Sequence, residues 1–271
     1  MTVNVLLGTQ GWDYGAWVGT FYPQGTRHSG MLEVYTRAFP TVEIETTSYG
    51  LPPDPTVQDW RDSVPAEFRF ALKVPQEITH ERRLVDTGRV LRRFVDRVRP
   101  LEERLGPLLL QLSPAFRPTR SNQTLLQQFL EGLPEGVRWA MEFRHPGWMT
   151  SATGEFLRAR GVALVLVDGR WIPREMMAEL ALEPTADFGY VRWSGTGKRL
   201  ADFSYPQLER ERELEFWTGV LARLDERVAT VYGYFSNHYQ GHAPHSVREL
   251  QQLIGQEPVA PEALQEQKEL F

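Results

Sequence analysis

The chain has no cysteine. Disulfides, thiolate zinc sites, iron–sulfur clusters and cysteine nucleophiles are thereby excluded. It also lacks a long apolar run, since no stretch approaches the roughly 20 residues that a membrane span needs. The opening MTVNVLLGTQGW has no basic region leading into an apolar core, so no secretory signal is expected and the chain reads as cytoplasmic. Net charge of one sign is modest: a formal -5 gives no global drive toward nucleic acid. No glycine-rich nucleotide fingerprint occurs, which leaves no flavin or nicotinamide signal. One local excess of charge runs from Arg82 to Arg104, where Arg82, Arg83, Arg89, Arg92, Arg93, Arg97, Arg99 and Arg104 outnumber the acids. Its ordinary reading is a solvated helix face with charge pairs, and its alternative is a phosphate-facing surface that would meet nucleic acid.

What is present is a repeating alternation. Short apolar runs recur at Val3–Gly8, Thr41–Thr46, Phe68–Val74, Pro107–Leu112, Val137–Phe143, Val162–Val167, Phe188–Trp193 and Val228–Phe235. Helical patterns separate them at Met31–Phe39, Thr56–Ser63, Thr87–Leu105, Asn122–Glu131, Ala152–Arg160, Arg174–Leu182, Gln207–Arg227 and Ser246–Ile254. Strand–helix alternation implies parallel pairing with right-handed crossovers. Eight repeats in about 250 residues fit an α/β fold of one (β/α)8 TIM barrel better than an open sheet. The barrel is expected over residues 1–255. The proline-punctuated, acidic residues 256–271 are expected to be a peripheral tail.

A barrel carries its chemistry at the C-terminal ends of its strands. The run WAMEFRHPGW, Trp139–Trp148, is the most telling strand end. Alternation puts Ala140, Glu142 and Arg144 on one face, then His145-Pro146-Gly147 stops the pairing. Buried charge is costly unless paired, so such a face is either a structural ion pair or part of a site. The other strands end in a similar way. Strand 1 runs into Thr9-Gln10-Gly11-Trp12, strand 2 presents Glu43 and Glu45, and strand 3 presents Lys73 and leads on to His80. Strand 4 offers Gln111, strand 6 ends in Asp168, strand 7 carries Arg192 and Trp193, and strand 8 leads into Asn237-His238. Parallel strands bring these ends to one mouth, which is the expected functional pocket.

These motifs resemble a known family, the YecE-like proteins, which share domain of unknown function 72. GTQGWDYGAWVGTFYP at Gly8–Pro23 resembles its opening signature, and TVEIETTSYGLP at Thr41–Pro52 its second-strand motif. FRFALKVPQEITH at Phe68–His80, LGPLLLQLSPAF at Leu105–Phe116, MEFRHPGW at Met141–Trp148 and VYGYFSNHYQGHAP at Val231–Pro244 follow in the same order. The resemblance implies a TIM barrel and no particular reaction. Glu43, Lys73, Gln111, Glu142, Arg144, His145 and Asp168 keep the family's pattern. Glu45, Ser48, Trp193, Ser236 and His245-Ser246 depart from it, so any role of a strand 7 histidine is lost here.

The mouth's residues suggest anion chemistry. Lys73, Arg144 and Arg192 supply positive charge, and guanidiniums hold phosphate or carboxylate in a fork. The expected catalytic set is Glu43, Lys73, Glu142, His145 and Asp168, with Glu142 or Glu43 as general base and His145 as proton carrier. The expected substrate-binding set is Trp12, Gln111, Arg144, Trp148, Arg192 and Asn237, with the tryptophans as pocket walls or stacking surfaces or simply as rim packing. Two carboxylates plus a histidine could instead hold a divalent metal. Trp193–Gly197, WSGTG, is either a phosphate-cradling turn or an ordinary loop. The leading expectation is an enzyme acting on a phosphate-bearing or other anionic substrate, phosphoester hydrolysis first. A second reading starts at Gln267, Leu270 and Phe271 of the terminal QKELF. These look like a peptide that docks on the bacterial sliding clamp, which would make the protein a DNA-associated accessory or repair factor. A third is a barrel that binds a ligand without chemistry.

Overall fold

The computed structural model describes residues 4–197 and 200–264. Eight parallel strands close into a barrel in chain order: β1 (Asn4–Gln10), β2 (Thr41–Ile44), β3 (Arg69–Lys73), β4 (Leu105–Gln111), β5 (Trp139–Glu142), β6 (Ala163–Gly169), β7 (Phe188–Gly195) and β8 (Thr230–Phe235). The last strand returns to the first with Asn4 opposite Thr230. Each expected apolar run overlaps one strand, with β1, β6 and β7 running on to Gln10, Gly169 and Gly195 and β4 starting earlier, at Leu105. The helices α1 (His28–Ala38), α2 (Asp54–Asp62), α3 (Gly88–Val98), α4 (Arg120–Glu131), α5 (Ser151–Arg158), α6 (Arg174–Leu180) and α7 (Glu211–Asp225) connect successive strands. After β8 come a short α8 (Asn237–Gln240) and α9 (Ala243–Leu253). This is the (β/α)8 TIM barrel that the alternation implies.

Local chemistry sets the helix ends. Thr119 caps α4 by accepting from the Asn122 amide, and Thr150 caps α5 by accepting from the Thr153 amide. The pattern over Thr87–Leu105 suggests one helix. In the structure α3 stops at Val98, and Arg99–Arg104 continues as a 3-10 segment in which Glu102 is left-handed, φ 54°. Pro100 is the cause, since it removes an amide and clashes with the preceding turn.

The barrel is filled, not hollow. Small side chains such as Ala71, Ala140 and Ala163 point inward together with Leu109, Val165, Tyr190, Tyr232 and Tyr234. The alternate residues, among them Phe70, Leu72, Met141, Leu166 and Val191, pack outward under the helices. Both faces of every strand are therefore covered, as a parallel sheet requires. Parts of the segment after residue 255 also pack. Gln256 Nε2 donates to Val5 O at 2.8 Å, and Arg37 Nη2 donates to Leu264 O at 2.7 Å on α1. Among the described residues no helix is long and apolar enough to cross a membrane.

Candidate active site

The strand alternation that puts Tyr190 inside the barrel also puts Arg192 there, two residues nearer the C-terminal end. Arg192 is 1% exposed. A guanidinium with five donors at that depth needs acceptors on several sides, and it has them. From β2, Glu43 accepts from Arg192 Nε at 3.0 Å and from Nη2 at 2.7 Å. From β5, Glu142 accepts from Nη1 at 2.6 Å, and Glu45, just past β2, accepts from Nη2 at 2.9 Å. Tyr190 donates to Glu43 at 2.5 Å from below. Arg192 thus ties β2, β5 and β7 together across the barrel.

The upper side of this network holds two more cations. Arg144 Nε donates to Glu142 Oε1 at 2.9 Å, and Gln111, paired with Glu142 in register, donates to both carboxylate oxygens at 3.0 Å. Lys73 Nζ stands 3.9 Å from Glu45, too far for a hydrogen bond, with its side chain 17% exposed. Among the described residues Lys73 Nζ makes no hydrogen bond, and the Arg144 Nη groups make none either. Beside Arg144 lies a cavity of about 520 Å³, bordered by Glu142, Arg170, Trp171, Gly195 and His238. Gly195, at φ 77°, is needed there because a Cβ would meet His238 O at 2.6 Å.

Burial and charge split the carboxyls apart. Burial pushes the Glu43 carboxyl above the ordinary carboxylate range, with Arg192 pulling against it and Glu45 adding to it. Burial would raise Glu142 as well, but Arg192 and Arg144 override it and hold that carboxyl at about 2. Glu142 is therefore a fixed anion and a weak base, not the general base that its position in the sequence suggests. Burial pushes the Lys73 ammonium down, with Arg192 acting the same way and Glu45 opposing. Burial, then Lys73 and Arg144, lower the His80 imidazole. His80 sits on a π-helical turn, Glu77–Glu81, directly above β3, and its Nδ1 shares a 2.9 Å hydrogen bond with Thr79 Oγ1. The chain beyond it takes three left-handed non-glycine residues, Arg83, Leu84 and Asp86. Such turns and outliers gather at working sites.

The mouth thus brings together Glu43, Lys73, Gln111, Glu142, Arg144 and Arg192. Other expected residues lie elsewhere. Asp168 is turned outward, because Val165 and Val167 take the inward face of β6. Its Oδ2 accepts from Trp217 Nε1 at 2.8 Å and from Tyr239 hydroxyl at 3.2 Å, which pins α7 and α8 to the barrel. Asp168→Ala is expected to cost about 2–3 kcal/mol in chemical denaturation, since it orphans two buried donors, with phosphate binding at the mouth unchanged. Loss of binding without loss of stability would contradict this placement. His145 is committed to its turn, its Nδ1 accepting from the Gly147 amide. Trp148 stacks between Phe116 and Phe143, Trp193 stacks on Phe235, and Trp12 packs on Trp60 and Phe70. All three fill the strand–helix layer. Asn237 Oδ1 accepts from Trp17 Nε1 and the Ala243 amide, so it organises the β8 loop.

Two further expectations can be placed. Among the described residues no group of three His, Asp or Glu side chains could hold a metal ion; Glu43 and Glu142 both aim at Arg192. In the arginine-rich run Arg82, Arg97 and Arg99 pair with Glu77, Asp54 and Asp96, and Arg83 and Arg104 donate to backbone carbonyls, whereas Arg89 and Arg93 of α3 border a cavity of about 510 Å³ together with Glu77 and Glu81. Residues Gln267, Leu270 and Phe271 of the clamp-like peptide lie outside the described residues. The sequence brought Glu45 and His80 to the mouth without giving either a role, and it passed over Tyr190. The signal for Tyr190 was the alternation itself, since it shares a face with Arg192.

The family model for the protein of unknown function DUF72 matches residues 6–269. UPF0759 protein YecE of Escherichia coli K12 is 32% identical over 171 residues, 61% of this chain and 60% of YecE. That match therefore spans less than two thirds of the relative's length. UPF0759 protein YunF of Bacillus subtilis is 23% identical, covering 92% of this chain and 94% of YunF. The crystal structure of a DUF72 family protein from Thermotoga maritima is similar with a TM-score of 0.77 and 29% identity, over 92% of this chain and 97% of that one.

Proposed function

The chain belongs to the DUF72 family of proteins of unknown function, and from that premise we propose that its barrel mouth binds and transforms a small anionic substrate, phosphate-bearing compounds first. One observation carries the reading. Arg144 is tethered by Glu142 through Nε alone and Lys73 stands near Glu45 without a hydrogen bond, so the Arg144 Nη groups and Lys73 Nζ have no hydrogen-bond partner among the described residues. Oriented, partly desolvated donors of this kind bind anions with charge-assisted hydrogen bonds. Every nitrogen of Arg192 donates to one of three carboxylates, so its part is to hold the mouth in register.

Phosphoester hydrolysis is the first reaction class to assay. Lys73 and Arg144 would hold the phosphoryl oxygens and the charge that develops on them. His80, lowered by burial and then by those cations, would take the proton from attacking water, a task Glu142 is too weak a base to perform. Wild-type protein is expected to turn over p-nitrophenyl phosphate with competitive inhibition by inorganic phosphate. Lys73→Met and Arg144→Leu are each expected to weaken phosphate binding by about tenfold or more, the worth of one charged hydrogen bond. Undiminished binding and turnover in both variants would remove the assignment.

A second reading has its own observation. Three cations face three carboxylates within one network, as they would in a purely structural plug or a ligand-binding barrel without chemistry. Saturable phosphate binding with no product over long incubation would favour the binding barrel.

A further inference from the structure

Lysine is scarce in this chain. Of its 30 Lys and Arg residues, Lys73, Lys198 and Lys268 are the lysines, and the last two lie outside the described residues. Wherever the barrel needs a fixed positive charge in the mouth it uses arginine, as at Arg144 and Arg192. Position 73 is the exception, and the two side chains are not chemically equivalent. A guanidinium stays protonated and is a poor nucleophile, whereas a desolvated lysine amine loses its proton readily and attacks carbonyl carbon.

The surroundings of Lys73 suit the neutral amine. It stands at the C-terminal end of β3, inside the mouth and largely buried, with no hydrogen bond to Nζ among the described residues. Its charged neighbours from the packed elements are Glu45 and Glu43 of the β2 end, Arg192 of β7 and Glu142 of β5, and His80 lies above on the π-helical turn. Burial and Arg192 favour loss of the ammonium proton. Glu45, 39% exposed and 3.9 Å away, is placed to accept that proton and return it.

We infer that Lys73 is a reactive amine that forms an imine with an anionic aldehyde or ketone held at the mouth. The neutral Nζ attacks the carbonyl carbon, the C–N bond forms and the carbonyl π pair moves to oxygen. A proton passes from nitrogen to that oxygen by way of Glu45, giving a carbinolamine. The hydroxyl then leaves as water with a proton supplied by Glu45, the nitrogen lone pair closes the C=N bond, and the remaining N–H proton returns to Glu45, so that amine and carbonyl give imine and one water. No oxidant or reductant enters. The inference rests on the anion-binding half of the proposed function and does not depend on hydrolysis.

Pyridoxal 5′-phosphate, an aromatic aldehyde with a phosphate, is the probe. The full chain is incubated with it, reduced with borohydride, digested and mapped by mass spectrometry. The expected result is a phosphopyridoxyl group on Lys73, formed at least tenfold faster than the adduct of phosphate-free pyridoxal and suppressed by inorganic phosphate. Lys73→Arg should lose the adduct while its circular dichroism spectrum and urea midpoint stay those of the wild type, which guards against a folding artefact. Adducts on Lys198, Lys268 or the amino terminus but not on Lys73, in protein that binds phosphate saturably, would overturn the inference and leave the anion reading standing. Labelling of Lys73 at equal rates by both aldehydes, unprotected by phosphate, would keep the reactive amine and overturn the anion reading.

Discussion

Replacing Arg192 by methionine is expected to cost about 3–5 kcal/mol of folding stability at neutral pH, the usual cost of leaving buried charge without its partner. Methionine fills a similar volume without donors. Glu142 would keep Arg144 and Gln111 as partners. Glu43, at 0% exposure, would keep only the Tyr190 hydroxyl and is the group left stranded. Its carboxyl already lies above the ordinary range, so losing Arg192 raises it further and drives it to protonate. The penalty should therefore shrink as the pH is lowered toward 5. Adding Glu43→Gln to the methionine variant should recover a large part of the loss, because the stranded charge is gone. Urea denaturation of the two single variants and the double variant makes the cycle. Strict additivity would mean that Arg192 and Glu43 do not act on one another.

The second large effect lies at acid pH. Glu142 is held at about 2 in the folded protein against an ordinary 4.5. A carboxyl depressed by folding adds stability that is fully present above the unfolded value and is lost as the pH falls through the folded one. The window is therefore pH 4.5 down to 2, and the shift corresponds to about 3 kcal/mol. Glu43 works in the opposite direction. Its folded value is raised, so protonation between that value and 4.5 stabilises the fold as the pH falls. Stability should stay level or rise slightly from neutral pH to 4.5 and then drop steeply. In Glu142→Gln the drop below 4.5 should flatten, whereas in Glu43→Gln the behaviour above 4.5 should flatten. Equal acid slopes for wild type and Glu142→Gln in urea midpoints would show that Glu142 is not depressed.

The sequence exposed the barrel more fully than the site, for a physical reason. A parallel strand buried on both faces reads as a short apolar run whichever face is inside, so eight such runs identify the sheet. The same property hides which residues point inward. On β2, β5 and β7 the charges break the symmetry, and alternation places Glu43, Glu142 and Arg192 on the barrel axis. On β6 nothing breaks it, because Leu164, Val165, Leu166 and Val167 are apolar in both directions; Asp168 is expected at the mouth from its place at the strand end alone, and it faces outward onto Trp217 and Tyr239. Trp12, Trp148 and Trp193 were misplaced toward the mouth for a related reason. Trp193 follows the inward Arg192 and so faces outward by alternation, while Trp12 and Trp148 lie beyond the strand ends and pack back on the outward residues Phe70 and Phe143. The sequence brings His80 to the mouth only as a residue beyond β3, and no strand pattern fixes its direction, since a π-helical turn carries it.

Crystals of the full chain grown or soaked with inorganic phosphate test the central claim most directly. A phosphate at the mouth, within hydrogen-bond distance of Lys73 Nζ and an Arg144 Nη and absent from crystals of Lys73→Met, is the predicted result. A mouth without phosphate at concentrations that saturate binding in solution, with the ion bound only at other surfaces, would contradict it.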